Sequence, residues 1–301
     1  MVKVLNRLKK ELGISDIQRD IKRLEYFTRR EQLIYHILND NSIGITNDRY
    51  TSHDIIVSLT TYGKRIYDVA FTIESIMQQS MKPNRIILWL DNSFKDKELP
   101  NSLLRQRERG LEIAFCKDIR SYKKLVPTLC TYPNDAIITV DDDCLYDFDI
   151  LEKLITAYLQ DPQYIYCTRY HRMTFARANN LKPYNEWEWR SKDEDASHLN
   201  FATGVGGVLY PPHSLDDEVT NEAVFMDICK YADDVWFKAM AIKKGTLVKK
   251  VQTRSINSED YLENNDVQDI GLRQINAKGE NLNNKQIKAV FEKYDLYSKL
   301  Q

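Results

Sequence analysis

No stretch of this chain approaches the ~18 consecutive apolar residues that a membrane-spanning helix requires, and its opening residues, MVKVLNRLKKELGISD, lack the apolar core of a secretory leader. Cysteine is scarce and scattered: Cys116, Cys130, Cys144, Cys167 and Cys229 form no C-x-x-C pair, and their odd number does not suit a disulfide framework. A cytoplasmic protein of a reducing compartment is therefore expected. Neither charge is in excess, since 43 Lys plus Arg stand against 44 Asp plus Glu. Without a bulk basic field, nucleic acid is not an expected partner. The five histidines, His36, His53, His171, His198 and His213, show no H-x-x-x-H spacing, so a zinc site is not expected. Neither the G-K-[ST] ending of a phosphate loop nor a G-x-G-x-x-G fingerprint is present.

What is present points to one α/β core with appended helices, a size that 301 residues can fill. Three segments are expected: an N-terminal helical arm over 1–50, a main domain over 51–255 and a C-terminal helical extension over 256–301. In the arm, Leu5, Leu8 and Leu12, then Ile17, Ile21 and Leu24, then Ile34, Ile37 and Leu38 recur at helical spacing. Ser15-Asp16-Ile17-Gln18 has the form of a capping box, so a second helix is predicted to start there. The arm is expected to pack on the main domain or on a second copy of the chain, giving a homo-oligomer. Its basic residues also suit peripheral contact with the inner face of a membrane.

From residue 54 the texture changes to short β-branched runs separated by helical patterns, the sign of stacked βαβ units and a largely parallel sheet flanked by helices. Strands are predicted over 54–59, 85–90, 111–116 and 136–140, with later ones including 164–168. Ligands of such sheets bind beyond the carboxyl ends of the strands. Those positions are polar here: Thr60-Thr61-Tyr62-Gly63-Lys64-Arg65 after the first strand, Asp91-Asn92-Ser93 after the second, Lys123 and Lys124 after the third, and Asp141-Asp142-Asp143 after the fourth. Three adjacent carboxylates repel one another strongly if all stay ionised, and a hard divalent cation bound also by substrate phosphates relieves that repulsion. Asp147 and Asp149 suffice to cap the helix that follows, which leaves the triple Asp without a structural task.

Three further features stand in the second half. Trp187 and Trp189 flank Glu188, rings and carboxylates that suit sugar faces, although a surface loop anchored by these rings is the simpler reading. Gly204, Gly206 and Gly207 in Thr203-Gly204-Val205-Gly206-Gly207 let backbone approach a ligand closely. Asp233 and Asp234 open a helix, where acids favour the macrodipole.

A strand leading into Asp-Asp-Asp, preceded by a hydroxyl-bearing first strand and a strand ending in Asp, resembles the family-two glycosyltransferases of the GT-A fold. That resemblance implies a Rossmann-like GT-A domain and a metal-dependent transfer of sugar from a nucleotide-sugar, typically a UDP-hexose. The acceptor would be a hydroxyl of a glycan or lipid-linked saccharide in polysaccharide biosynthesis. By the same resemblance Asp141 contacts ribose or sugar, with Asp142 also at the donor nucleotide, and Asp143 together with Asp141 binds Mn²⁺ or Mg²⁺. Thr60, Tyr62, Arg65 and Asp91 form the nucleotide pocket, with Lys123 or Lys124 near the base or phosphates. Gly206, Gly207 and Trp187 wall the donor sugar and acceptor. The family's acidic pair, often Glu-Asp, falls on Asp233-Asp234, so Asp234 is the expected base of an inverting reaction and Asp233 the alternative. Two rival readings stay open. A sugar nucleotidyltransferase would want a Gly-rich basic loop after the first strand, where this chain has one glycine; a non-catalytic carbohydrate or nucleotide-binding module would use the acids for a structural cation.

Overall fold

The structure, a computed structural model, describes residues 14–177, 180–255, 259–264 and 282–300. The expected first helix with Leu5, Leu8 and Leu12 lies outside them. The described chain opens within a helix, α1 (Ile14–Asn39), which includes the capping-box residues Ser15 to Gln18. Its Tyr26, Leu33 and Ile37 are buried on the main domain, while Ile17, Ile21, Leu24, Tyr35 and Leu38 remain exposed. No helix among the described residues is long and apolar enough to cross a membrane.

The apolar runs become sheet strands because apolar residues on both faces are stable only when both faces are covered. They are β1 (Ile55–Thr60), β2 (Arg85–Asp91), β3 (Leu111–Cys116) and β4 (Ala136–Thr139). Three helices accompany them: α2 (Val69–Met77), α3 (Asn101–Glu108) and α4 (Val126–Thr131). A short strand β5 (Cys144–Tyr146) and helix α5 (Ile150–Gln160) follow, then β6 (Ile165–Cys167), β7 (Tyr170–Arg172), β8 (Asn200–Ala202) and β9 (Val208–Tyr210). The chain continues through α6 (Glu222–Ile228), α7 (Asp233–Lys244), β10 (Val248–Lys250), β11 (Tyr261–Glu263) and α8 (Leu282–Lys293).

Seven strands form the main sheet in the order β10-β6-β9-β4-β1-β2-β3. All neighbours are parallel except β9, which runs antiparallel to both β4 and β6. Side chains alternate between two cores: Ala136 and Ile138 join the core under α2, α3 and α5, and Ile137 joins the one under α4, α6, α7 and α8. The reversal at β9 has a positional consequence. Because β9 pairs Val208 with Thr139 and points the other way, the glycine loop before it lies beside the acidic turn after β4. Since β6 is parallel to β4 across β9, the residues following Cys167 also reach this edge.

One interior group carries a pH prediction. Lys238 of α7 is buried, its Nζ has no hydrogen-bond partner among the described residues, and burial pulls its ammonium down to about 7, opposed by nearby Cys167. Its charge also depresses His198 after burial has done so. A lysine lowered from 10.5 to about 7 on folding releases protons as the chain folds between those values. The unfolded chain then binds more protons, so stability from this group rises with pH across that window and its penalty is greatest below pH 7. Lys238→Met should therefore raise Tm by ~5 °C at pH 6 and by little at pH 10. Equal gains at both pH values in thermal melts would exclude this.

Candidate active site

The carboxyl edge of β1 and β4 opens on a cavity of about 510 Å³. Thr60, Tyr62, Arg65, Lys123, Lys124, Asp141, Asp142, Asp143, Asp233 and Asp234, all expected as site residues, line it together. The physical reason is topological: a parallel sheet sends every carboxyl end to one side, and α7 starts against the same side.

Asp142 turns inward. It accepts hydrogen bonds from Thr61 Oγ1 at 2.6 Å and from Arg65 Nη1 at 2.6 Å, and its carbonyl accepts from Thr72 Oγ1. This carboxylate ties the turn after β4 to the chain leaving β1, so the triple Asp does have a structural task, held by its middle member. Arg65 also pairs with Asp143 at 3.2 Å and lies against the Tyr62 ring. Burial, reinforced by Asp142 and Asp141 and only partly offset by Arg65, pushes the Asp143 carboxyl up to about 7.

On the facing wall, Lys124 sits among three carboxylates, with Nζ 3.0 Å from Asp141, 2.9 Å from Asp233 and 3.9 Å from Asp234. Burial works against its charge, but the three acids outweigh burial and hold the ammonium protonated. The repulsion read from the sequence as calling for a divalent cation is thus relieved in part by Arg65 and Lys124. Lys123 differs: its ammonium is taken by Asp118 at 2.5 Å, which leaves Lys124 as the lysine at the acidic centre.

The acid pair of α7 is divided in role. Asp233 accepts from Ser121 Oγ and is buried beside Lys124, whereas Asp234 accepts from the Gly204 amide at 3.2 Å. Burial, opposed by Lys124 and reinforced by Asp233 and Asp141, raises the Asp234 carboxyl to about 7. A Cβ at Gly204 would stand 2.5 Å from Lys124 Nζ and 3.2 Å from Asp234, so a larger residue there would push the lysine from its place among the acids. The Tyr146 hydroxyl accepts from the Asp141 amide and donates to the Val205 carbonyl, which stitches the glycine loop to the acidic turn.

Four expected residues lie outside the cavity wall. Asp91 ends β2 and folds its carboxylate back onto the Ser93 amide, as a cap of the following turn. Trp187 is 4 % exposed, donates from its indole to the Lys182 carbonyl and packs on Tyr184 and Phe201. It is a core residue; Trp189, 47 % exposed and tilted over His171 at 4.5 Å, is the ring that reaches the cavity. Gly206 packs against Thr168 and Arg169, and Gly207 adopts a positive φ of 85° before β9. They shape the loop, while Thr203 and Val205 line the cavity. Asn265 and Asp266, polar residues that could close over a diphosphate although surface capping is the simpler reading, fall outside the described residues.

Arg169, His171, Glu263 and Asn283 also line the cavity and were not singled out as contacts from the sequence. Arg169 had a legible signal: it stands just past a strand's carboxyl end, where ligand contacts concentrate.

No protein-family model matches the chain. No curated protein matches it in sequence. Solved structures do match, among them the inositol-1-phosphate CTP transferase from T. maritima, with a TM-score of 0.40 and 13 % identity over 75 % of this chain and 97 % of that one. On its own strand order, with helices over both faces of a mostly parallel sheet, the chain has a Rossmann-like α/β fold.

Proposed function

We propose that this chain is a transferase working on a nucleotide-linked sugar and, more finely, a glycosyltransferase that moves the sugar to a hydroxyl of a glycan or lipid-linked saccharide. One observation carries the reading: acids from two separate elements, Asp141 and Asp143 after β4 and Asp234 opening α7, meet across one cavity beside the cations Arg65 and Lys124. That is the charge pattern a diphosphate and a proton-accepting base require side by side.

Among the described residues no three acidic, histidine or cysteine side chains converge as a resident metal cage. The donor set suits instead a hard cation arriving with the diphosphate, which uses one or two carboxylates and completes its shell with phosphates and water. Asp141 and Asp143 both line the cavity, which fits that use. Asp143 and Asp141 would hold Mn²⁺ or Mg²⁺, which when bound offsets charge on the departing diphosphate. The chain's own residues do the rest. Arg65 and Lys124 present positive charge to the phosphates, and the Gly204 amide fixes the Asp234 carboxylate. Asp234 takes the acceptor's hydroxyl proton as that oxygen bonds the anomeric carbon, and the bond to the diphosphate breaks with its electrons leaving on the phosphate oxygen. Attack opposite the leaving group inverts the anomeric centre.

The second reading is nucleotidyl transfer, the activity named for the T. maritima structure. The same cations favour it equally, because a lysine and an arginine flanking acids also suit attack on an α-phosphate. The products separate the two. A panel of UDP-, GDP- and CMP-sugars and nucleoside triphosphates, with and without Mn²⁺, should show metal-dependent thermal stabilisation by one sugar nucleotide and release of nucleoside mono- or diphosphate from it. Pyrophosphate from a triphosphate and a sugar phosphate would select the second reading; stabilisation with no turnover would leave a binding module. Asp143→Ala should abolish the metal-dependent shift, and an intact shift would remove the metal assignment.

A further inference from the structure

The cations of the cavity wall are not alike. Arg65 is paired with Asp142 and Asp143, Lys124 with Asp141 and Asp233, and Arg190 with Glu259. Arg169 is 9 % exposed, yet among the described residues its guanidinium has no carboxylate partner: Nη1 reaches Thr203 Oγ1 at 3.3 Å and Nε is buried without a hydrogen-bond partner. A buried arginine without a counter-ion is costly unless an anion arrives from outside. Asn283 Oδ1, on the same cavity's wall, is likewise buried without a partner among the described residues.

The surroundings define what kind of anion fits. Arg169 directly precedes β7 and His171 lies within it, and both side chains line the cavity. His171 accepts the Arg190 amide at Nδ1, which puts the proton of its neutral ring on Nε2. Burial, then Arg169 and Arg190, hold that ring neutral. Trp189 lies over His171 and is half-exposed, a ring face open to the C–H surface of a sugar. The position relative to the chemistry is set by the backbone: Thr203, the residue Arg169 touches, directly precedes Gly204, whose amide holds Asp234.

We infer that the Arg169 end of the cavity is an acceptor subsite for a saccharide that carries an anionic group, a carboxylate or a phosphate, with its ring on Trp189. This rests on the glycosyl-transfer reading for the word acceptor. The anion closes the charge of Arg169, the Asn283 oxygen takes a sugar hydroxyl, and an adjacent hydroxyl is directed toward Asp234.

The test is equilibrium binding by calorimetry and ligand-observed NMR, using methyl β-glucuronide, glucose 6-phosphate and the neutral methyl β-glucoside, with UDP plus Mg²⁺ as the donor-side probe. The charged sugars should bind at least about tenfold more tightly than the glucoside, with the better of the two naming the anion. Arg169→Gln should remove that preference while leaving UDP affinity within about twofold, and Arg169→Lys should retain part of it. Equal binding of charged and neutral sugars would overturn the proposal. So would a tenfold loss of UDP affinity in Arg169→Gln, which would assign the guanidinium to the donor diphosphate. If the Gln variant fails to fold, competition on the unaltered protein decides: UDP that displaces the glucuronide overturns the subsite, and UDP that leaves it bound supports it. Arg169-dependent anion binding without any sugar transfer would keep the subsite and remove the glycosyltransferase reading, whereas transfer without charge preference would do the reverse.

Discussion

Asp234→Asn should lower sugar transfer by roughly 10²–10⁴-fold, the contribution of a positioned general base, while metal-dependent binding of the sugar nucleotide stays within a few-fold of the unaltered protein. The amide keeps the size of the carboxylate and can still accept the Gly204 N–H, so the loop geometry survives and only proton acceptance is lost. Asp233→Asn makes a useful contrast. Its carboxylate is engaged by Ser121 and Lys124, so its loss should disturb the lysine more than the chemistry. Steady-state rates with the donor found by the panel, together with donor affinity for each variant, check this. Full turnover by Asp234→Asn would remove it as base, and a larger loss in Asp233→Asn would exchange their roles.

The largest effect on stability is expected from Lys124→Met. The ammonium is 7 % exposed at the side chain and stands within 4 Å of three carboxylates contributed by two elements distant in sequence. Removing one partner of a buried ionic cluster leaves the others uncompensated, at a cost on the order of 3–5 kcal/mol, or a fall in Tm of roughly 10 °C for a chain of this size. Adding Asp141→Asn to the Lys124→Met background should recover part of the loss, because it removes one of the stranded charges. The double-mutant cycle therefore has a sign as well as a size. Strict additivity of the two substitutions in denaturant unfolding would show that the lysine and the acidic turn are not coupled.

Much of the frame was legible in the residues. The runs at 55–60 and 85–91 are strands because they are largely apolar and buried on both faces, and 111–116, which carries Glu112 and is only partly buried, pairs beside them at the sheet edge. The residues Ile66, Val69, Ala70, Ile73, Ile76 and Met77 share one buried helical side, although the chain divides them between a 3₁₀ turn and α2. The crevice rule located the acidic turn, Thr60, Tyr62, Arg65 and both lysines at one edge, because a parallel sheet sends all carboxyl ends the same way. Periodicity and strand direction are local or additive properties, so a single sequence contains them.

What the tertiary structure alone decided concerns partners far apart in the chain. Asp142 became a tether and Asp143 stayed at the cavity because Thr61 and Arg65, some eighty residues earlier, reach only the former from both sides. Trp187 entered the core and Trp189 the cavity wall according to which ring Tyr184, Phe201 and His171 could enclose. The reversed strand β9 brought Gly204 to Asp234, and the same packing left Arg169 buried without an acid among the described residues. Composition and spacing name the charged groups available; which of them pair, and which remains open for a ligand, depends on distances that exist only after the sheet has closed around them.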